Sequence, residues 1–366
     1  MSAGNSILVA IDIGNDGLKA VFGRKGNGLY IPNVISKEKE KRQIAKMEAE
    51  PLDALHVQIN SGAVKENGVY VVGELAVTYQ YNMELTQDTM KSESDQPIIL
   101  LLTALAYHAA TTQPGDDIKA FYVLGTGLPL TEIKLDKRQS FIDKLKTNTH
   151  EVTFLRTPQL EGKKVRITFE DIFAFAEGHA AVVDLTTNED GSQKNPELNE
   201  MTILIHDIGG LTSDAAIIRP RGKLDNLNSE SLKDGVSPYL DNIIERVQGI
   251  HGYPFKSRHE VVEVITHNNP EKRNKVSFRK IDITPIVDEE LMILAEKEFE
   301  FIKRMWLKVP SIDVAYIIGG GGSLLKPYLE QLNEKEGYPI RFIEAKDSIW
   351  MNAKSYFKLI SARAGK

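Results

Sequence analysis

Two stretches of the chain share one pattern of apolar and polar positions. Residues 7–22 read ILVAIDIGNDGLKAVF and residues 203–218 read ILIHDIGGLTSDAAII. Each opens with an apolar run of strand length, passes through Asp-Ile-Gly, crosses a short polar turn and enters a second apolar run. This predicts a β-hairpin with a Gly-containing turn in both places. The copies stay in step, with Asp12 on Asp207 and Gly14 on Gly209. Such a turn can aim several backbone N–H groups at one point, forming an anion-binding nest. Two facing nests, each with a carboxylate, suit a nucleotide triphosphate and a divalent metal held between two similar domains. The pattern therefore predicts an ATPase whose halves close on the nucleotide.

Elsewhere the pattern predicts strands at Leu29–Ile35, Ala54–Ile59 and Val69–Val72, with Asn67-Gly68 turning between the last two. Pro97–Ala110 reads as a buried helix capped by Ser94 or Asp95. A strand follows at Ile118–Leu124, then a charged helix from Thr131 to about Lys146, then strands at Val165–Thr168 and Ile172–Phe175. The polar stretch 186–199 is the clearest break in the chain. After the second hairpin, Ser237-Pro238 opens a helix whose Leu240, Ile243, Ile244 and Val247 fall on one face. Pro254–Lys280 reads as irregular, and Thr284-Pro285 opens a helix to about Leu307. The strand Val314–Ile318, the turn Gly319–Gly322 and the helix Ser323–Asn333 close the pattern. The basic-acidic run Lys37–Glu50 reads as a solvated loop or helix face. The repeat is too long for a solenoid and describes two domains of similar plan, each starting with its own hairpin.

A length of 366 residues fits two domains. Without cysteine there are no disulfides or thiolate metal sites, and a reducing compartment is the simpler reading. The eight histidines lack zinc-ligand spacing. A net charge of −6 argues against direct nucleic-acid binding through the general surface field. Met1–Asn5 lacks the basic start of a signal peptide, and the longest apolar run is too short to span a bilayer. The expectation is a soluble, cytoplasmic protein with no membrane partner.

Candidate chemistry gathers at the hairpins. Lys19 follows the turn Gly14-Asn15-Asp16-Gly17 at a distance that lets its ammonium reach a phosphate. Asp12 would repel that phosphate unless a cation intervened, which makes Asp12 and Asp207 reasonable outer Mg²⁺ ligands, in part through water. The second copy adds Gly209, Gly210, Leu211 and Thr212, with Asp214 beyond. A single such hairpin would be explained by turn chemistry alone; the in-register duplication favours a binding role. Gly319, Gly320, Gly321 and Gly322 remove every Cβ where backbone could approach a flat or charged ligand, just before a helix N-terminus. By itself that could be only a tight turn. Glu177 starts a small-residue helix; it is either a dipole contact or the carboxylate that positions an attacking water. His179 reads as a packing or surface residue, and Gly125-Thr126-Gly127 as a tight turn at a strand end.

Taken in order, these elements resemble the actin, heat-shock-chaperone and sugar-kinase ATPase superfamily. Asp12–Lys19 is similar to its first phosphate motif, Asp207–Asp214 to its second, and Ile317–Leu325 to its adenosine motif. Glu177-Gly178 lies where the first connecting helix begins, and Ser348–Tyr356, with Asn352-Ala353, resembles the second connecting segment. The motifs span nearly the whole chain. Leu124–Leu130 followed by a charged helix is closest to prokaryotic actin-like proteins, the plasmid-segregation actins of the ParM/StbA type or their archaeal relatives. The resemblance implies an α/β, two-domain actin-like ATPase fold of duplicated ribonuclease H-like domains with small inserted subdomains. Domain I would cover 1–185 with an insertion at about 29–80, domain II 200–345 with an insertion at about 237–307, and 346–366 a C-terminal helix returning to domain I. It further implies ATP or GTP with Mg²⁺ at Asp12 and Asp207, Lys19 on the phosphates, and glycines 319–322 under the nucleotide. Glu177 would hold the catalytic water, with Asp207 next in line. Asp16 departs from the commoner Ser, Thr or Asn, and its side chain is expected to point outward.

The implied function is nucleotide-driven assembly into a homopolymeric filament that hydrolysis disassembles, moving plasmid DNA through a small DNA-binding adaptor. Two rivals share the fold: a small-molecule kinase, and a cell-shape or cell-division actin homologue held at a membrane. The mildly basic C-terminal SYFKLISARAGK could serve the latter, but packing on the first domain is the simpler expectation.

Overall fold

The structure, a computed structural model, describes residues 6–23, 27–38, 48–79, 83, 90–278 and 280–363. Most of the Lys37–Glu50 run, the first five residues and the last three lie outside these. The chain forms two compact units. One comprises the residues up to Ala176, Glu189–Gly191 and those from Asn352 onward; the other comprises Glu177–Asn188 and Ser192–Met351.

The first unit begins with strands β1 (Ile7–Ile13), β2 (Gly17–Phe22), β3 (Asn27–Pro32), β4 (Ile35–Lys37), β5 (Leu55–Ser61) and β6 (Gly68–Val72), then the short helix α1 (Glu74–Val77). Helix α2 (Asp95–Thr112), β7 (Asp117–Leu128), α3 (Leu130–Lys134), α4 (Lys137–Lys146), β8 (His150–Phe154) and β9 (Lys164–Ala176) follow. One sheet runs β3-β2-β1-β7-β9-β8-β5-β6-β4. Its centre is parallel, β1 to β7 to β9, and its hairpin edge β1–β2–β3 is antiparallel. Helix α2 is buried along most of its length because Ile98–Leu102, Leu105 and Ala109 join a single core with β1, β7 and β9.

The second unit contains α5 (Ala181–Thr186), β10 (Ile203–Ile208), β11 (Ser213–Arg219), β12 (Lys223–Leu224), β13 (Glu230–Leu232), α6 (Val236–His251) and α7 (Arg258–Ile265). It continues with β14 (Lys275–Val276), β15 (Ile281–Asp282), α8 (Thr284–Lys308), β16 (Val314–Ile318), α9 (Gly319–Glu336), β17 (Ile340–Phe342) and α10 (Ala345–Ser348). Its sheet order is β12-β11-β10-β16-β17. An antiparallel hairpin again adjoins a run of parallel strands, so both units repeat one plan. Alternation splits the β10–β11 hairpin between two cores. Leu204, Ile208, Ala215 and Ile217 face α6, α8 and α9, while Ile203, Ile205, Ala216 and Ile218 face α5.

Several sequence expectations need correction. The helix expected from Thr131 to Lys146 is two, because Asp136 adopts a left-handed conformation (φ 58°) between α3 and α4. The strands expected at Val165–Thr168 and Ile172–Phe175 are one strand, β9. A bulge at Glu170 lets it continue, with Tyr122 opposite Phe169 and Val123 opposite Asp171. The irregular stretch Pro254–Lys280 contains α7, whose cap Ser257 accepts a hydrogen bond from the Glu260 amide. Ser94 makes no side-chain cap on α2, and Asp95 accepts instead from the Glu66 amide at 2.8 Å.

Gly125-Thr126-Gly127 is not a turn but the interior of β7. A final helix, α11 (Met351–Arg363), crosses these glycines. A Cβ on Gly125 would stand 2.9 Å from Ile360 Cγ2, and one on Gly127 would overlap the Tyr356 ring. Gly125 is the register partner of Ala10, so α11 covers the face of β1 that also carries Asp12.

The buried histidines of this unit carry a pH dependence. Burial pushes His108 down to about 4, and His56 and His150 are also lowered, chiefly by burial. The unfolded chain therefore binds more protons, and stability present above pH 6.5 is lost as pH falls towards 4. Thermal melts should shift down across that window. His108→Phe should flatten the shift, since the ring stacks on Phe22 at 3.9 Å and Tyr122 keeps its bond to the Leu105 carbonyl.

Candidate functional site

The two predicted hairpins form with the same register. In the first, Asp12 pairs with Lys19 and Ile13 with Leu18; in the second, Asp207 pairs with Asp214 and Ile208 with Ser213. Each turn is closed by the same backbone bond, from the Gly14 amide to the Gly17 carbonyl (3.1 Å) and from the Gly209 amide to the Thr212 carbonyl (2.9 Å). Asp12, Lys19, Asp207 and Asp214 are all buried at strand ends beside their turns.

In both turns the carbonyl oxygens are tied back to the protein, as a turn that presents N–H groups to an anion requires. In the first, the Gly14 carbonyl accepts from Asn33 Nδ2 at 2.8 Å, and the Asp16 carbonyl from the Asn33 amide at 3.1 Å. Gln96, at the start of α2, holds Asn33 in turn at 2.9 Å. In the second, the Gly209 and Gly210 carbonyls accept from the Val236 and Ser237 amides that open α6 (3.1 and 2.7 Å). Asn33, Gln96 and Gly235–Ser237 were not singled out in the sequence. Their only signal there was the helix opening at Ser237-Pro238.

Asp16 does not simply point outward. Its carboxylate takes the Lys19 ammonium at 2.6 Å, although Asp16 is 47% exposed and Lys19 only 4%. The ammonium that was expected on a phosphate is held by the neighbouring carboxylate. Asn15, in the same turn, keeps a buried Oδ1 with no hydrogen-bond partner among the described residues.

The second unit draws three further segments to its turn. Gly319 has φ 84°, and a Cβ there would strike the Asp207 carboxylate and lie 2.5 Å from the Ile208 carbonyl. A Cβ on Gly321 would sit 2.5 Å from Val236 Cγ2 and 2.7 Å from the Ile208 carbonyl, whereas one on Gly320 would meet nothing within 4 Å. The four glycines are the first turn of α9 itself rather than a loop before it. Ser323, at the end of that turn, has a buried hydroxyl without a partner among the described residues. The α6 entrance is as close, with a Cβ on Gly235 falling 2.6 Å from the Gly210 carbonyl. Glu177 is buried where β9 ends, and Gly178 (φ 73°) turns the chain towards α5. A Cβ on Gly178 would come 3.8 Å from Asp207 Cβ, which places Glu177-Gly178 beside the second hairpin. His179 lies apart from this chemistry, with Nε2 at 3.4 Å from the Gly222 carbonyl.

The site residues thus form two sets, one in each unit: Asp12, Gly14, Asn15, Gly17 and Lys19; and Glu177, Asp207, Gly209–Thr212 and Gly319–Gly322.

Known proteins are similar to this chain in sequence and in fold. The family model of the actin-like proteins' N-terminal domain matches residues 10–179, and that of the Alp7A C-terminal domain matches 202–343. The chain belongs to the actin-like proteins. No curated protein sequence matches it. Among solved structures, it is similar to Bacillus thuringiensis ParM with ATP (TM-score 0.74, 23% identity, 99% of this chain and 100% of that one). The actin-like protein Alp7A is similar at TM-score 0.78 and 19% identity, over 98% of this chain and 97% of that one. The 15-stranded ParM filament from Clostridium botulinum is similar at TM-score 0.73 and 20% identity, over 97% and 99%. These likenesses establish the actin-like α/β fold. Among the described residues, no helix is long and apolar enough to cross a membrane.

Within this actin-like chain the glycines separate into two kinds. Gly321→Val should destabilise the second unit, because the new side chain meets Val236 and Ile208. Gly320→Val should leave its circular dichroism and melting unchanged, and should weaken binding of a fluorescent ATP analogue if the open space beside Gly320 receives nucleotide.

Proposed function

We propose that this chain is a filament-forming, actin-like ATPase of the cytoplasm that moves plasmid DNA. The observation that carries the reading is the duplicated hairpin, with identical register, identical turn closure and carbonyls tied back in both copies. The ParM structure with ATP and the ParM filament are the relatives that support nucleotide binding and self-assembly.

In this reading the amides of Asn15–Gly17 and Gly210–Thr212 bind phosphate oxygens, those of Gly14 and Gly209 being used to close the turns, and Lys19 adds a cation to the first set. Gly320 offers the open backbone against which the nucleotide lies, and Ser323 supplies a hydroxyl at the N-terminus of α9. Among the described residues, no group of three or more His, Asp or Glu side chains is built to hold a metal by itself. That fits Mg²⁺, which takes one or two carboxylates and leaves most positions to water and phosphate. Asp12 and Asp207 would hold it through water, and the unpartnered Asn15 Oδ1 is a further acceptor for a coordinated water. When bound, Mg²⁺ supplies charge neutralisation on the phosphates. Glu177, buried beside Asp207, orients the attacking water and accepts its proton.

The net charge of −6 favours an indirect link to DNA, in which a small basic adaptor reads the plasmid and the filament holds the adaptor. ATP is the proposed nucleotide and GTP the alternative for the same site.

Adding ATP and Mg²⁺ should raise light scattering and give filaments by negative-stain microscopy; a flat signal with either nucleotide would remove the filament reading. Glu177→Ala should still assemble but release phosphate about 10²–10⁴-fold more slowly, so that its filaments persist. Hydrolysis at the parent rate would leave Glu177 as a residue of the turn between β9 and α5.

The Asp16–Lys19 pair gives a separate expectation. Phosphate must compete with Asp16 for the ammonium, so Asp16→Asn should tighten nucleotide binding by about three- to tenfold, as expected for removing one partly solvated charge. Equilibrium titration with a fluorescent ATP analogue measures it.

A further inference from the structure

The face of the second hairpin opposite Asp207 holds a buried polar network. Glu298, near the middle of α8, is fully buried. Its Oε2 lies 2.7 Å from His206 Nε2, and its Oε1 accepts from Ser213 Oγ at 2.6 Å. His206 and Ser213 are fully buried too, and the imidazole packs edge-on against Phe301 of the same helix at 5.3 Å. The two partners come from different strands. His206 immediately precedes Asp207 on β10, and Ser213 immediately follows Thr212 on β11.

The first hairpin shows what the fold alone needs there. The positions matching His206 and Ser213 are Ile11 and Leu18, both fully buried and apolar. An apolar solution therefore exists for the same hairpin in the same register. Burying a carboxylate is costly, and replacing a buried ionic network by apolar side chains is often neutral or stabilising. Stability is thus a poor reason for the network. Hydrogen bonds differ from apolar contacts in being directional, and these two fix the angle between both strands and one helix.

We infer that Glu298 is a positioning residue for the turn Asp207–Thr212. Helices α6 and α9 meet this turn through backbone, at Val236, Ser237 and Gly319. Helix α8 packs on the hairpin through apolar side chains and, just below the turn, through the Glu298 carboxylate, which staples β10 to β11. The staple holds the turn amides and Asp207 at one orientation against the helix layer. The importance of that orientation for hydrolysis rests on the nucleotide reading proposed above; the stapling itself does not.

The test compares the full-length parent with a triple variant, His206→Ile, Ser213→Leu and Glu298→Met, which copies the first hairpin's apolar solution. Its melting temperature should equal or exceed the parent's. Amide hydrogen exchange over 209–214, without nucleotide, should be about tenfold faster, the equivalent of about 1.4 kcal/mol of local opening. ATP turnover should fall about tenfold or more in kcat, with KM changed little, because small misplacements act on the chemical step. Parent-like exchange over 209–214 in a stable triple variant would overturn the inference. If the triple variant does not fold, Glu298→Gln decides by the same exchange measurement: faster exchange over 209–214 at unchanged melting supports it, and parent-like exchange overturns it. A parent that turns over no ATP would count against the function proposed above, while the exchange result would still decide the role of Glu298.

Discussion

Much of the second unit depends on backbone meeting backbone at one point. The Gly209 and Gly210 carbonyls take the first amides of α6, and the first turn of α9 lies against the Ile208 carbonyl and the Asp207 carboxylate. Such distances exclude a Cβ at Gly235, Gly319 and Gly321. With the α6 amides on the Gly209 and Gly210 carbonyls and the Gly209 amide closing the turn, the amides of Gly210–Thr212 are the ones left to the turn's open side. In the reading proposed above, the same packing that closes the core would also prepare the anion site, with two N-terminal helix dipoles adding to it.

The first hairpin reaches the same backbone state by other means. Among the described residues, no helix N-terminus meets its turn carbonyls; Asn33, steadied by Gln96, takes that place. The cross-strand partner of the conserved-register carboxylate also differs. Asp12 faces a lysine, while Asp207 faces a second carboxylate, Asp214, which accepts a hydrogen bond from Ser231. The first copy thus sets an ammonium between two carboxylates, Asp12 and Asp16, whereas the second concentrates negative charge. In the reading proposed above, that negative charge, with Glu177 buried close by, suits the second copy to a cation that offsets it.

The two sheets are buttressed in similar ways. Among the described residues, the face bearing the key aspartate carries α11 on the first and α5 on the second, and the opposite face carries α2 on the first and α6, α8 and α9 on the second. In the first unit the fit is so close that β7 must be glycine where α11 crosses it. In the second, the opposite face uses a carboxylate, an imidazole and a hydroxyl where its counterpart uses isoleucine and leucine.

What the sequence determined by itself was local and repeated. Two apolar runs around Asp-Ile-Gly predict hairpins with permissive turns, so the duplication, the α/β class and the matched positions of Asp12 and Asp207 at the strand ends were legible in the residues alone. Helices α6 and α8 were legible because Ser-Pro and Thr-Pro start signals coincide with an apolar stripe. The tertiary structure decided whatever depends on a partner distant along the chain. Gly125 and Gly127 looked like a turn because the helix that requires them lies more than 220 residues later. Glu298 stands among charged neighbours in EKEFEF, a pattern that does not mark it as buried, and its partners stand 85 and 92 residues away. Asp16 looked outward because its Lys19 contact depends on how the turn folds over Gly14. Backbone preference is written residue by residue, whereas the identity of a buried polar partner is set only when the strands and helices have been brought together.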